Sequence, residues 1–117
     1  MKYFKMSEFA CKDGCGFDGM NEEFLAMIDK ARELAGIPFV ITSGCRCAKH
    51  NKAVGGVASS SHTTGHAADI SASTGVQKYT IVKALMEAGF KRIGIAKSFI
   101  HVDNDPGKPS PSIFLYS

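Results

Sequence analysis

The part of the chain that decides the fold lies at residues 60–71, which read SSHTTGHAADIS. Ala67 to Ser71 predict a short strand, and Gly65 permits the chain to turn back just before it. Residues 46–66 upstream are polar and rich in Gly and Ser, which indicates a long structured loop. Long loops inside small domains are usually functional. The stretch therefore places His62 on a loop and Asp69 on the strand that follows.

Helical patterns lie on both sides of this stretch. Asn21 predicts an N-cap, residues 24–35 carry apolar side chains at helical spacing, and Gly36 ends the helix. A second helix is predicted over residues 76–88, with Gly89 as its stop. Its buried side chains are expected to be Tyr79, Val82, Leu85 and Met86.

Short runs of β-forming residues predict the sheet. Besides Ala67 to Ser71, the predicted strands are residues 39–42, 93–96, 99–103 and 113–116. Lys97-Ser98 is a tight connection between two of them, and Asp105-Pro106-Gly107 predicts a turn. The order helix, strand, loop, strand, helix, hairpin predicts an α+β fold with a mainly antiparallel sheet and two main helices. We expect a single small domain over residues 1–117.

The composition limits the kinds of partner. The chain has 117 residues and a net charge of +3, with charges of both signs scattered along it. Nucleic-acid binding is not expected, because the densest basic group is only Lys49, His50 and Lys52. No apolar run is long enough for a signal peptide or a membrane span. We therefore expect a monomer that is synthesised in the cytoplasm without a signal peptide and does not insert into a membrane.

The segment 99–103, which reads FIHVD, alternates along a predicted strand. Phe99, His101 and Asp103 then share one face, and the β-branched residues between them share the other. Because β-branched residues belong in the core, His101 is expected to point into a cleft.

Three side chains form a candidate metal site. His62 and His101 offer imidazole nitrogens and Asp69 offers a carboxylate oxygen, a donor set that suits zinc. Three protein ligands leave one position for water, as in hydrolytic zinc sites. A single histidine is more often a hydrogen-bonded surface or core residue than a ligand, so the spacing by itself leaves both interpretations open. His66 is expected to be exposed.

Several motifs together carry a family resemblance. Residues 60–69 match the SxHxxGxAxD signature of the zinc D-Ala-D-Ala carboxypeptidase and L-alanyl-D-glutamate endopeptidase family. Residues 99–103 are similar to its later HxD element. Residues 42–56 contain TSGCR, HN and VGG in that order and resemble its short bacterial and phage members. The resemblance covers roughly residues 6–103.

The resemblance implies zinc-dependent cleavage of peptide bonds in peptidoglycan stem peptides, as a carboxypeptidase or an endopeptidase. It implies that His62, Asp69 and His101 bind the zinc ion. Arg46 would bind a substrate carboxylate or stabilise the oxyanion, the alternative being a surface ion pair. Ser60 would contact substrate or support the site, the alternative being a turn residue.

One position departs from the family pattern. Several branches carry Glu or Asp three residues before the last ligand as general base, and here that residue is Ser98. A serine hydroxyl cannot take a proton at neutral pH without a base behind it. Asp103 is then either the general base or a partner that orients a ligand imidazole. The departure also leaves an alternative function open, a catalytically degenerate domain that binds zinc and cell-wall peptides.

The four cysteines allow three states. Cys11, Cys15, Cys45 and Cys47 can form disulfides, close a structural metal site or remain thiols. Their spacings do not match common zinc fingers, so a nucleic-acid module is not expected.

The expected destination follows from the resemblance. A small chain without a wall-binding repeat resembles a phage-encoded or prophage-encoded endolysin that a separate pore releases. Its site of action would then be the periplasm or cell wall.

Overall fold

The computed structural model describes residues 1–11, 19–45 and 61–116. Within these ranges the chain forms two α-helices, two short 3₁₀ turns and one five-stranded sheet. The regular elements are α1 Glu22–Ala35, β1 Ile41–Ser43, β2 Ala67–Ser71, α2 Gly75–Glu87, β3 Arg92–Ile95, β4 Phe99–Asp103 and β5 Ser112–Leu115. The 3₁₀ turns are Met6–Phe9 and Ser61–Thr64. Neither α1 nor α2 has the length and apolar run that a membrane crossing requires.

Helix α1 begins and ends where the sequence predicts. The Asn21 side chain accepts a hydrogen bond from the backbone N–H of Phe24 at 2.8 Å, which satisfies a donor that the first turn leaves open. Gly36 ends the helix with a φ of 69°, a left-handed conformation that glycine adopts without steric cost. The buried face consists of Phe24, Leu25, Ile28 and Ala31.

Helix α2 is where predicted, but it buries a different face. Tyr79 is 71% exposed and Met86 is 48% exposed, so the prediction that they are buried is wrong. The buried residues are Ile81, Ala84 and Leu85. Apolar residues occupy most of the circumference of α2, so their spacing does not select one face. The packing of α2 against α1 and β4 selects it instead.

The sheet has the order β1-β2-β4-β3-β5. All neighbouring strands are antiparallel except β3 and β5, which are parallel. Strands β2 and β4 have the predicted bounds, and the other three differ from prediction by one or two residues at each end. The expected α+β fold with a mainly antiparallel sheet is therefore confirmed.

The two faces of the central strands have opposite character. Ile70, Ile100 and Val102 belong to the hydrophobic core together with the buried residues of both helices. The opposite face carries polar side chains, with Asp69 paired to His101 across β2 and β4. The predicted alternation in β4 is thus confirmed, and it places the candidate site on the side of the sheet away from the helices.

Candidate metal centre

Three side chains from distant parts of the sequence meet on the polar face of the sheet. One nitrogen each of His62 and His101 and one oxygen of Asp69 lie within 4.8 Å of one another. His62 is 3% exposed, Asp69 8% and His101 5%. These are the three residues that the sequence predicts as ligands, and the structure brings them together.

Strand pairing positions two of the three. Asp69 and His101 are directly opposite each other in the antiparallel ladder of β2 and β4. Side chains at opposed positions of neighbouring strands project from the same face. Asp69 Oδ1 consequently lies 3.0 Å from His101 Nδ1.

A backbone carbonyl fixes the ring of His62. Its Nδ1 is 2.6 Å from the carbonyl oxygen of Gly44, so Nδ1–H donates and Nε2 carries the lone pair. Nε2 then faces Asp69 Oδ1 at 3.2 Å. A side chain at Gly44 would collide with the backbone of Phe9. That backbone is held in place, because the carbonyl of Phe9 accepts a hydrogen bond from the N–H of Cys45 at 2.9 Å.

The turn that carries His62 is held at both ends. Gly65 has a φ of 74°, and its carbonyl accepts a hydrogen bond from the N–H of Asn21 at 2.9 Å. A Cβ at Gly65 would collide with the backbone at Gly19, so this close approach requires glycine. At the other end, Ser61 Oγ donates to Asp105 Oδ2 at 2.9 Å.

Asp103 lies behind His101 rather than beside the open part of the site. Its side chain is fully buried, and its Oδ2 is 2.7 Å from His101 Nε2. Its Oδ1 accepts from Arg92 Nε at 3.0 Å. Arg92 also donates from Nη1 to the carbonyl of Pro109 at 2.8 Å. Sequence reasoning missed Arg92, although the charged first residue of a strand that pairs with FIHVD was a usable signal.

The electrostatics couple these groups. Burial by itself raises the pKa of Asp69, but hydrogen bonds from His101 and His62 and their charges lower it to about 2. Burial by itself lowers the pKa of His101, but its hydrogen bonds with Asp103 and Asp69 outweigh burial and raise it above 6.5. Burial by itself raises the pKa of Asp103, but the hydrogen bond with His101 and the charges of His101 and Arg92 lower it below its usual value.

The donor atoms fit a divalent cation such as zinc. His62 Nδ1 is tied to Gly44 and His101 Nε2 to Asp103, so His62 Nε2 and His101 Nδ1 face Asp69 Oδ1 together. One carboxylate oxygen and two imidazole nitrogens thus converge, and a cation bound between them would be coordinated by all three atoms. Two histidines and one carboxylate form a donor set found in catalytic zinc sites.

Aromatic rings from β4 and the β5 segment flank the donors. Sequence reasoning placed Phe99 on the face of His101 but missed Phe114 and Tyr116. The ring centroids of Phe114 and Tyr116 lie 5.7 and 5.9 Å from that of His101. Phe99 packs edge-on against Tyr116 at 5.2 Å. The guanidinium of Arg92 lies over the Phe114 ring at 4.8 Å. The parallel pairing of β5 with β3 brings these rings to the site.

Other predicted residues have different outcomes. Arg46 and Ser60 lie outside the described residues, as do Cys15 and Cys47. Cys11 and Cys45 are both buried, and the three states considered for the cysteines stay predictions.

His66 is half-buried rather than exposed as expected. Its Nδ1 lies 2.8 Å from Thr64 Oγ1, and its carbonyl accepts from the N–H of Asn104 at 3.1 Å. The first contact holds the ring against Thr64, and the second ties the backbone of His66 to that of Asn104.

Comparison with known proteins identifies the family. The model of the Peptidase M15 family matches residues 2–103, and the chain belongs to this family of zinc D-Ala-D-Ala carboxypeptidases. The three candidate ligands all lie within the matched residues, whereas β5 follows them. A search of curated proteins found no match.

Proposed function

We propose that the protein is a zinc-dependent hydrolase that cleaves peptide bonds in peptidoglycan stem peptides. The observation that carries this proposal is the convergence of His62 Nε2, Asp69 Oδ1 and His101 Nδ1. Membership of the Peptidase M15 family supports the same class of reaction. The cleaved bond is either that of a terminal D-Ala or an internal one.

Each residue of the centre has a separate task in this proposal. Bound zinc would polarise the scissile carbonyl and activate a water molecule for attack. His62, Asp69 and His101 hold the ion, and the Gly44 carbonyl keeps the imidazole of His62 in the orientation that binding needs. The burial of all three donors limits competition from bulk water.

We assign Asp103 to orientation rather than to proton abstraction. Both of its oxygens are engaged, one by His101 and the other by Arg92. Its side chain is fully buried, so it has no surface to offer to a substrate water. A carboxylate that accepts from the distal nitrogen of a ligand histidine fixes the tautomer of that ring and raises its basicity.

Arg46 and Ser60 keep the roles that the family resemblance implies. Arg46 is proposed to bind a substrate carboxylate or to stabilise the oxyanion, because its fork of donors suits both groups. Ser60 is proposed to contact substrate next to the His62 turn.

A second candidate function rests on the same carboxylates. Within residues 1–11, 19–45 and 61–116, Asp69 and Asp103 are the carboxylates that contact the histidines of the centre. Each is in hydrogen-bond contact with an imidazole nitrogen. A domain that binds zinc and cell-wall peptides without cleaving them would have this arrangement. Catalytic turnover distinguishes the two functions.

The test uses purified muropeptides and zinc-replete protein. We expect zinc-dependent release of new amino groups, with the cleaved bond identified by mass spectrometry of the products. His62→Ala should abolish both zinc retention and cleavage. His66→Ala is the matched control, since His66 lies four residues away and is not one of the three converging donors. Zinc-replete protein that cleaves no stem peptide would contradict the hydrolase proposal.

The proposed substrate is part of the bacterial cell wall, and the proposed location follows from it. We propose that the protein acts in the periplasm or cell wall after release, in a phage or prophage context, as a monomer. The location and the phage context rest on the resemblance described above.

A further inference from the structure

Three rings form what we call the aromatic wall, namely Phe99, Phe114 and Tyr116. Tyr116 contacts both of the others, with its ring centroid 5.2 Å from that of Phe99 and 5.7 Å from that of Phe114. Phe114 and Tyr116 also contact the imidazole of His101. The wall therefore borders the metal centre on the side of β5.

Gly94 makes room for the wall. It lies between His101 and Phe114 in the register of β4, β3 and β5. A Cβ at position 94 would come within 2.5 Å of Phe114 Cε2 and 2.6 Å of Tyr116 Cε2. The two rings thus lie across the glycine and reach toward the proposed ligand His101.

The rings differ in how much surface they leave open. Phe114 is half-buried between the guanidinium of Arg92 and the ring of His101, so it helps to hold both. Tyr116 is 43% exposed although it contacts three other rings. Phe99 is half-buried beside it. An exposed aromatic surface next to a reactive centre favours contact with an apolar part of a bound molecule.

We propose that the aromatic wall is a substrate subsite that binds a carbon–hydrogen surface next to the scissile peptide bond. This inference rests on the proposed function. In a muropeptide such a surface comes either from the pyranose ring that carries the stem or from the aliphatic side chain of the third stem residue. Both present C–H groups to an aromatic face. The wall then determines which of the stem-peptide bonds is presented to the zinc ion.

Its position relative to the family match supports a role in specificity. The match ends at residue 103, and both Phe114 and Tyr116 lie beyond it. The proposed ligands, which would hold the ion, lie within the matched part, while residues after it shape one side of the site. Substrate choice is set by such contacts next to a fixed reactive centre.

The experiment compares three stem substrates on the zinc-loaded protein. They are a disaccharide-peptide, the same peptide without sugar, and the disaccharide-peptide with alanine at the third position. Tyr116→Ala and Phe99→Ala remove wall surface, and Tyr116→Phe keeps the ring. Tyr79→Ala is the control, because Tyr79 is an exposed tyrosine on α2. Zinc affinity is measured for every variant, and unfolding by urea checks that each is folded.

We expect Tyr116→Ala and Phe99→Ala to lower kcat/KM about tenfold on the substrate that carries the recognised group, mainly through KM. On the substrate lacking that group, wild type and variants should be equally active. Zinc affinity should stay within about twofold, because these rings donate nothing to the ion. Loss of the sugar dependence identifies the pyranose, and loss of the third-residue dependence identifies the side chain.

Equal activity of wild type and both wall variants on all three substrates would overturn the inference while leaving the hydrolase proposal intact. A second readout covers the case in which wild type cleaves nothing. The free disaccharide and N-acetyl-lysine amide contain no stem-peptide bond, and their binding to the zinc-loaded protein is measured by saturation-transfer NMR. Binding of either that Tyr116→Ala weakens supports the subsite, and binding of neither, or binding unchanged by the variant, rejects it.

Discussion

Asp69 and His101 face each other across β2 and β4, with Asp69 Oδ1 3.0 Å from His101 Nδ1. The sheet register alone brings together two residues 32 positions apart. His62 reaches the same oxygen from a separate turn at 3.2 Å. A shift of one residue in this register would move either side chain to the core face. The candidate metal centre therefore depends directly on how β2 and β4 pair.

Asp103→Asn tests the orienting role of Asp103. The amide oxygen can still accept from His101 Nε2–H, but the negative charge is lost. We expect zinc affinity to fall about tenfold, the lower end for loss of an outer partner. Peptidase activity should return to within about tenfold of wild type when zinc is saturating. A variant that keeps zinc with wild-type affinity yet has no activity would instead identify Asp103 as the general base.

Arg92→Leu tests the stability that the buried pair provides. The substitution removes the guanidinium partner of the Asp103 carboxylate, whose side chain is fully buried, and leaves His101 as its other partner. We expect a loss of about 3 kcal/mol in the free energy of unfolding of the zinc-free protein, measured by urea titration.

The matched control for Arg92 is an exposed pair. Lys83 lies 4.0 Å from Glu87 on the surface of α2. Lys83→Leu should change the free energy of unfolding by less than about 0.5 kcal/mol, because water screens such pairs. Equal effects of the two substitutions would show that the Arg92–Asp103 pair contributes no more than a surface one.

Zinc binding near neutral pH should release a proton. In the metal-free protein both ring nitrogens of His101 face carboxylate oxygens, at 3.0 and 2.7 Å, and these hydrogen bonds raise the pKa of His101 against the effect of burial. Zinc binding at Nδ1 displaces the proton held there. Zinc affinity should therefore fall as pH falls through this raised pKa. The raised pKa also stabilises the metal-free fold. This stabilisation is fully present at pH values below the pKa of His101 in the unfolded chain, and it is lost as the pH rises through the pKa of His101 in the folded protein.

Calorimetry measures this proton directly. Titration of zinc in two buffers with different ionisation enthalpies should give different apparent binding enthalpies at neutral pH, and the difference should vanish at high pH. His66→Ala should behave as wild type. Identical enthalpies in both buffers at neutral pH would mean that His101 binds zinc without losing a proton.

Gly65→Ala tests the turn that carries His62. Gly65 has a positive φ and approaches the backbone of Gly19 closely. Alanine should cost about 3 kcal/mol or more in the free energy of unfolding and should weaken zinc binding, because it pushes the His62 turn away from α1. Gly36 has a similar φ of 69° but open space around it. Gly36→Ala should cost only about 1 kcal/mol and leave zinc binding unchanged.

Local patterns predicted much of the fold. The Asn21 cap and Gly36 stop define α1 because each satisfies a requirement of its own helix end. Strand β4 was predicted at its observed bounds because its alternation separates Ile100 and Val102 from His101. Helix α2 shows where local patterns fail. Its apolar residues surround most of the helix, so only contact with α1 and the sheet decides that Leu85 is buried and Tyr79 exposed.

The sequence by itself predicted the order and type of the elements, because these follow from residue types at fixed spacings, and its motifs indicated the family, whose resemblance implied the three donors. Only the tertiary structure decided which nitrogen of each histidine faces Asp69, that Arg92 holds Asp103 behind His101, and that Phe114 and Tyr116 border the site. These contacts join residues on different strands and turns. Their distances depend on strand order and register, and the spacing of residues along one chain does not contain that information.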